Sequence, residues 1–356
     1  MMKSLSRIVA VALLFVVSSL ATTVAQIRDD APSSYTVKSG DTLWHISARF
    51  LNSPWMWPEV WHANPQISNP HLIYPGDDIV LVYRDGRPRL EVSRGVVERQ
   101  GDDGVVRLSP RVRELANDEA IPAIPMSAIE HYLRQGMVVT REQIEQAPSI
   151  IGGADRRVLF GRGDVVYGRD RNNRWEDAHR RYGIYRVGER YIDPDTNSVL
   201  GHEALMIGEV ELQQLDGDVA IFHVLRSSED IRAEDRLMPV VRASDQAMLY
   251  PSAPAEKVSG RVIRFFDRIN NIARNDVAVI GRGSEDGLKV GNVLDVFTEG
   301  EVVRDRVVGD RVKLPSMRTG SIVVFKVFDR VSYGLVMEST RPIFMHDVVE
   351  SPAGSY

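Results

Sequence analysis

The sequence predicts an α+β chain. A small β-α-α-β module near the N-terminus is followed by β-rich modules, two of them duplicated as small barrel- or sandwich-like units. Three observations predict this. Residues 35–83 run from a short strand through two helical stretches to a second apolar strand. Beyond Leu90, apolar residues mostly alternate with polar ones, and Gly and Asp cluster between the runs, as half-buried strands and their turns require. Residues 208–239 also align without gaps on residues 320–351, at a constant spacing of 112.

The elements follow in chain order. Lys3 and Arg7 precede an apolar run at residues 8–17, and small residues lead to Thr23-Val24-Ala25. This is the layout of a cleavable signal peptide over residues 1–25. The run is well short of the roughly 20 residues that cross a bilayer; the other reading is an uncleaved anchor. Residues 26–34 read as a linker. In the module that follows, Tyr35 and Val37 lie on a strand, and Gly40 permits the tight turn out of it. Asp41 or Thr42 can cap a helix whose apolar face is Leu43, Ile46 and Phe50. Pro58 suits the first turn of a second helix carrying Val60 and Trp61, and Asn64-Pro65 stops it. Pro75-Gly76 is a turn signal, and Ile79-Val80-Leu81 returns beside the first strand, giving two strands covered by two helices.

Residues 84–150 are expected to hold a hairpin turning at Gly101-Asp102-Asp103-Gly104, then two short helices opened by capping boxes at Ser127–Glu130 and Thr140–Gln143. Two β modules follow, at 151–245 and 260–356, with a Pro- and Ala-containing linker at 246–259. In the duplicated stretch Val210 falls on Ile322, Val224 on Val336, Ile231 on Ile343, Leu237 on Val349 and Asp235 on Asp347. A Gly-Arg-Gly triplet recurs at 161–163 and 281–283, at a different spacing, which implies a loop-length difference between copies.

Composition narrows the function. The 356-residue chain carries a formal charge of −5, so it lacks the basic field that holds nucleic acid. It has no cysteine, which removes disulfides, thiolate metal sites, cysteine nucleophiles and a lipidated N-terminal cysteine. No cofactor or metal is expected. Asp193-Pro194-Asp195-Thr196-Asn197 imitates the start of a calcium loop, but Ser198 replaces the required glycine and Ala204 the bidentate glutamate, leaving a turn. His202-Glu203 has no second histidine at zinc-ligand spacing. Neither Gly-x-Ser-x-Gly nor Ser-x-x-Lys occurs, and the Gly-Arg-Gly triplets lack a following Gly-Lys-Ser/Thr.

The opening Tyr35-Thr36-Val37-Lys38-Ser39-Gly40-Asp41-Thr42-Leu43-Trp44, the Asn64-Pro65 pair and the closing Ile73-Tyr74-Pro75-Gly76-Asp77-Asp78-Ile79 resemble the LysM family in both order and spacing. The segment Leu51–Trp57 departs from it, being longer and richer in tryptophan than the usual inter-helix turn. The resemblance implies binding to N-acetylglucosamine glycan, here the glycan strands of peptidoglycan, in a shallow groove. Carried over by position, Gly40, Asp41, Thr42 and Leu43 would line one side, and Asn64, Pro65, Ile67, Leu72 and Ile73 the other. Loops that offer backbone donors and a small apolar seat suit acetamido groups. One shallow groove binds weakly, with Kd on the order of 10⁻⁴–10⁻³ M, or about −4 to −5.5 kcal/mol. Trp44, Trp55 and Trp57 either close the small core or stack on sugar faces. The expected function is a non-catalytic, periplasmic wall-binding protein whose residues 151–356 contact another envelope protein. The alternative is a peptidoglycan hydrolase, or a regulator of a separate one.

Overall fold

The computed structural model describes residues 25–353, except 62–72, 85, 94–98, 101–105, 108–120, 155–156, 173–174, 176–179, 241–248 and 267–269. The expected signal peptide and the Gly101–Gly104 turn therefore lie outside the described residues. Two compact units divide the chain: one takes Met1–Asp41, His45–Ala120 and Ala353–Tyr356, the other Thr42–Trp44 and Ile121–Pro352.

In the first unit, strand β1 (Ser34–Thr36) pairs antiparallel with β2 (Asp78–Arg84), Tyr35 opposite Ile79. A third strand, β3 (Arg87–Ser93), pairs with β2 along its whole length. The sheet thus has three strands where two were expected. The sequence Arg87-Pro88-Arg89-Leu90-Glu91-Val92 hides it: only Leu90 of this strand is fully buried, so its alternation is weak. The expected linker at 26–34 also does structural work. Ile27 bridges to Leu51, Arg28 N–H donates to Phe50 O at 2.9 Å, and Asn52 N–H to Gln26 O at 3.0 Å. Short strands β4 (Arg99–Gln100) and β5 (Val106–Arg107) pair as the arms of the expected hairpin.

Helix α1 spans Leu43–Phe50 and α2 spans Trp57–Trp61, preceded by a 3-10 turn at Pro54–Met56. In the second unit, α3 (Met126–Gln135) begins one residue before Ser127, after Pro125, which makes no side-chain cap; the expected Ser127 box is not the helix start. Strand β6 (Gly136–Val139) follows, then α4 (Arg141–Gln146), where the Thr140–Gln143 box is present in full: Gln143 N–H donates to Thr140 Oγ1 at 3.2 Å and Thr140 N–H to Gln143 Oε1 at 2.8 Å.

The duplication is visible in the topology. The first β module comprises β7 (Ser149–Gly153), β8 (Val165–Arg169), β9 (Arg181–Ile192), β10 (Val199–Asp216), β11 (Val219–Ser227) and β12 (Arg236–Pro239). These form a ring in the order β7-β8-β11-β10-β9-β12, with β6 added on β10. The second comprises β13 (Ser259–Phe265), β14 (Asn271–Ile272), β15 (Val277–Ile280), β16 (Val293–Thr298), β17 (Val302–Arg304), β18 (Arg311–Lys313), β19 (Met317–Val327), β20 (Ser332–Ser339), β21 (Ile343–Phe344) and β22 (Val348–Glu350). Six of these close a barrel in the order β13-β15-β20-β19-β16-β22, the same circuit strand for strand. Matching positions share their bonds: Ile150 N–H donates to Asp235 O at 2.8 Å, and Val262 N–H to Asp347 O at 2.9 Å. The bridge Phe160–Ile231 recurs as the β14–β21 pair, Ile272 opposite Ile343. Val210, Val224, Ile231 and Leu237 are fully buried, as are their counterparts Ile322, Val336, Ile343 and Val349.

The Gly-Arg-Gly triplets, however, are not equivalent. The first precedes β8, whereas the second follows β15 and opens a 3-10 turn; the true counterpart of Gly161 is Ala273. The described end of the expected 246–259 linker is likewise part of the second barrel. Ser252 N–H donates to Gly291 O at 3.0 Å, Asn292 Nδ2 donates to Ser252 Oγ at 3.1 Å, and Val258 joins the barrel core.

The two barrels are tied by the β9–β10 turn. Asp193 Oδ1 accepts from Asp195 N–H at 2.8 Å and Asn197 takes the left-handed conformation, so the imitation calcium loop is indeed a turn. Its outward carboxylates meet the second barrel, Asp195 bonding Arg261 at 2.7 Å and Asp193 bonding Arg282 at 3.4 Å. Helix α3 is bolted to the same barrel: Tyr132 packs on Phe266 and Phe266 on Tyr333, each with centroids 4.8 Å apart. Lys326 Nζ donates to Leu133 O at 3.2 Å and Gly136 O at 2.5 Å, a cation at the carbonyl end of the helix.

One turn recurs throughout. At Lys38–Asp41, Tyr74–Asp77, Gly161–Asp164, Arg232–Asp235, Ala273–Asp276 and Phe344–Asp347, the aspartate carboxylate accepts the backbone N–H three residues before it, at 2.8–3.1 Å. Asn292 does the same for Lys289 through its amide oxygen. In these seven turns the residue just before the acceptor has positive φ: Gly40, Gly76, Gly163, Glu234, Asn275, Gly291 or His346.

Two outcomes are expected. Asp347 is nearly inaccessible, and burial pushes its carboxyl up, so a neutral side chain suits the site. Asp347→Ala should strand buried N–H and hydroxyl donors and cost about 1–3 kcal/mol in urea unfolding, while Asp347→Asn, which mimics Asn292, should cost far less. Burial also pushes the Lys326 amine down to about 8 from the ordinary 10.5. The unfolded chain then binds more protons between those values, so this group makes stability rise with pH across that window. Lys326→Met should remove that rise from the pH dependence of the unfolding free energy.

Candidate functional site

Two of the recurrent turns face each other in the N-terminal module. Gly40, with φ of +86°, lets the chain leave β1; Gly76, with φ of +94°, lets it enter β2. Val37 N–H donates to Asp77 O and Gly76 N–H to Val37 O, both at 2.8 Å, which locks the turns side by side. The Asp41 carboxylate serves its own turn, accepting from Lys38 N–H at 2.8 Å and from the Tyr35 hydroxyl at 2.9 Å. It is therefore directed back toward β1. The Arg49 guanidinium lies 4.3 Å over the Tyr35 ring, and burial, with the Asp41 carboxylate second, pushes the Tyr35 phenol up.

The predicted contact residues fall into three groups. Gly40 is exposed and Asp41 half-buried, so both present atoms at the surface. Thr42, Leu43 and Ile73 are buried at 3%, 1% and 0% exposure, so they belong to the interior and present neither side chain nor backbone at the surface. Asn64, Pro65, Ile67 and Leu72 lie outside the described residues. The tryptophans divide as well. Trp44, Trp57 and Trp61 are core, with Phe50, Val60 and Met56 buried beside them in sequence, whereas Trp55 is half-exposed and keeps a ring surface for stacking.

Sequence reasoning missed one contact within the second unit. Leu43 N–H donates to Pro122 O at 3.0 Å and Trp44 N–H to Ala123 O at 3.2 Å. These are first-turn donors of α1, which have no partner within the helix. The signal lay in Ile121-Pro122-Ala123-Ile124-Pro125: two prolines three residues apart keep this bent stretch out of a helix, with successive carbonyls left to accept. Among the described residues no group of three or more His, Asp or Glu side chains is placed to hold a metal ion. Nor, among them, is any helix long and apolar enough to cross a membrane.

Comparison with known proteins places this geometry. Residues 35–82 match the LysM domain family, so the module is a LysM domain. A stretch of 61 residues is also 36% identical to a protein of Bacillus subtilis (strain 168) described as uncharacterized protein YqbP. That stretch is 14% of this chain and 28% of the relative.

Asp41→Ala should remove two hydrogen bonds and cost about 1–2 kcal/mol of stability. With the carboxylate gone, the Tyr35 phenol should titrate lower, which ring-resonance NMR across pH 9–12 would read.

Proposed function

We propose that the chain is a non-catalytic peptidoglycan-binding protein of the cell envelope, in which the LysM domain holds N-acetylglucosamine glycan and the two barrels contact another envelope protein. The observation that carries this is the LysM match over residues 35–82, with its two glycine turns set side by side. A LysM domain implies binding to peptidoglycan or chitin, polymers that share the acetamido sugar. Gly40 and Asp41 at the surface offer backbone groups to an acetamide, and Trp55 offers part of a ring face. The signal-peptide pattern of residues 1–25 supports export, and we assign the protein to the periplasm.

The barrel carboxylates support a binding role over hydrolysis. A glycosidase needs two carboxyl groups free to meet a scissile bond. Here Asp164, Asp235, Asp276 and Asp347 are held by backbone N–H groups of their own turns. Asp195, Glu209, Glu229 and Asp295 are held by arginines at 2.7–2.9 Å. Binding through one shallow site is weak, and dense repeats along a wall raise the effective retention.

The full chain should sediment with purified sacculi and be released by millimolar N-acetylglucosamine oligomer, without freeing muropeptides. Protein left in the supernatant would refute the binding role, and released muropeptides would refute the non-catalytic one.

A further inference from the structure

The spacing of 112 that relates the two barrels also carries one hairpin onto another. In the β9–β10 turn, Asp193 N–H donates to Ser198 O at 2.9 Å and Asn197 N–H to Asp193 O at 2.8 Å. In the β17–β18 turn, Asp305 N–H donates to Asp310 O at 2.8 Å and Gly309 N–H to Asp305 O at 2.9 Å. Asn197 and Gly309 both take positive φ. The ribbon β17–β18 is therefore the second barrel's version of the β9–β10 hairpin, and both belong to the same compact unit.

Their surroundings differ. The first hairpin lies on the second barrel. Its Tyr191 and Leu200 are 2% and 7% exposed, with the Arg264 guanidinium 5.9 Å from the Tyr191 ring. Besides the bonds from Arg261 and Arg282, Arg330 donates to Val199 O at 3.0 Å and to Ser198 Oγ at 3.2 Å. The second hairpin meets nothing comparable: residues 301–318 are exposed except for half-buried Asp305. Val303 and Val312, opposite each other and at the places of Tyr191 and Leu200, are 37% and 47% exposed. Among the described residues β17 and β18 pair only with each other, and such a ribbon is marginal alone. Arg304 and Arg311 also stand directly opposite each other, a like-charge pair that costs stability until a carboxylate joins it.

The charges on hairpin and receiving surface change sign together. Arg261, Arg282 and Arg330 receive the first hairpin; 112 residues earlier the first barrel carries Ser149, Asp170 and Asp218. On the hairpin, Ile192, Pro194, Asp195 and Val199 become Arg304, Arg306, Val307 and Arg311. An acidic hairpin on a basic surface is thus matched by a basic hairpin and an acidic surface. Asp216 is exposed and Asp218 half-buried there; Arg169 and Arg171 stand nearby, the former already paired with Asp218 at 2.6 Å. We propose that the β17–β18 hairpin docks on the first barrel of a second copy of this chain, head to tail, as the β9–β10 hairpin docks on the second barrel within one chain. Such a contact uses two different surfaces and leaves one of each unfilled, so it repeats into a ring or a row. The inference does not depend on glycan binding. Where glycan is bound, a row carries one LysM domain per copy and holds a wall more firmly than a single copy does.

Sedimentation of the full-length chain tests this. At low salt the weight-average mass should rise at least twofold between about 10 μM and about 1 mM, and fall back at about 0.5 M salt, where exposed charges are screened. The hairpin variant Arg304→Glu/Arg311→Glu and the surface variant Asp216→Lys/Asp218→Lys should each stay monomeric. Mixed in equal amounts, they should form a dimer and nothing larger, because one intact hairpin then meets one intact surface. Thermal unfolding like that of the unmodified chain shows each variant folded. The hairpin variant changes exposed side chains alone, so its result stands by itself. An unmodified chain that remains monomeric at about 1 mM refutes a second copy as the occupant. A hairpin variant that associates as the unmodified chain does refutes the hairpin's role, and a monomeric mixture of folded variants refutes the head-to-tail arrangement.

Discussion

A carboxylate or amide that reaches back three residues to its own backbone sets the course of the described chain. Each such turn converts a local sequence choice, an acidic or amide residue after a left-handed one, into a fixed departure angle for a strand. In the LysM domain two of them place the ends of β1 and β2 together. In each barrel two more are closed by the same pair of backbone bonds: Val224 N–H to Asp164 O and Ile150 N–H to Asp235 O in the first, Val336 N–H to Asp276 O and Val262 N–H to Asp347 O in the second. The barrel cores of valine, isoleucine and phenylalanine are non-directional on their own; they bury area but do not choose a register. The turns choose it.

That division explains what could be read from the sequence. The apolar positions of the barrels repeat at a constant spacing because strands with the same circuit, joined by turns of the same length, leave no room for insertion except where the circuit is interrupted. The correspondence of Asp235 with Asp347 was legible for that reason, and so was the LysM domain, whose turn residues are its motif. The Gly-Arg-Gly triplet misled because glycine serves several purposes. At 163 it supplies a left-handed turn, while at 283 a side chain would collide with the Phe328 and Asp329 carbonyls. Strand β3 was hidden because one of its faces meets water and Pro88 breaks its alternation. Ser127 failed as a cap because Pro125 had already fixed the start of α3.

The candidate site was legible in a different sense. Residue types at Gly40, Asp41 and Ile73 are those the family resemblance calls for, yet the structure divides them between surface and interior. Thr42 and Leu43 are interior residues. No local pattern in residues 35–83 could reveal that the Leu43 and Trp44 amides find their acceptors some eighty residues further along. Long-range backbone pairing leaves almost no trace in composition; only the proline spacing of 121–125 hinted at a stretch that cannot coil.

The left-handed positions of the recurrent turn are not all filled alike. Glycine occupies four of the seven and asparagine, which tolerates the conformation, a fifth; Glu234 and His346 occupy the remaining two, at φ of +76° and +72°. Those residues hold matching places in the two barrels, so the strain was inherited by both copies or acquired by both. Either way, each barrel carries a conformational cost at the same spot, one that glycine there would relieve.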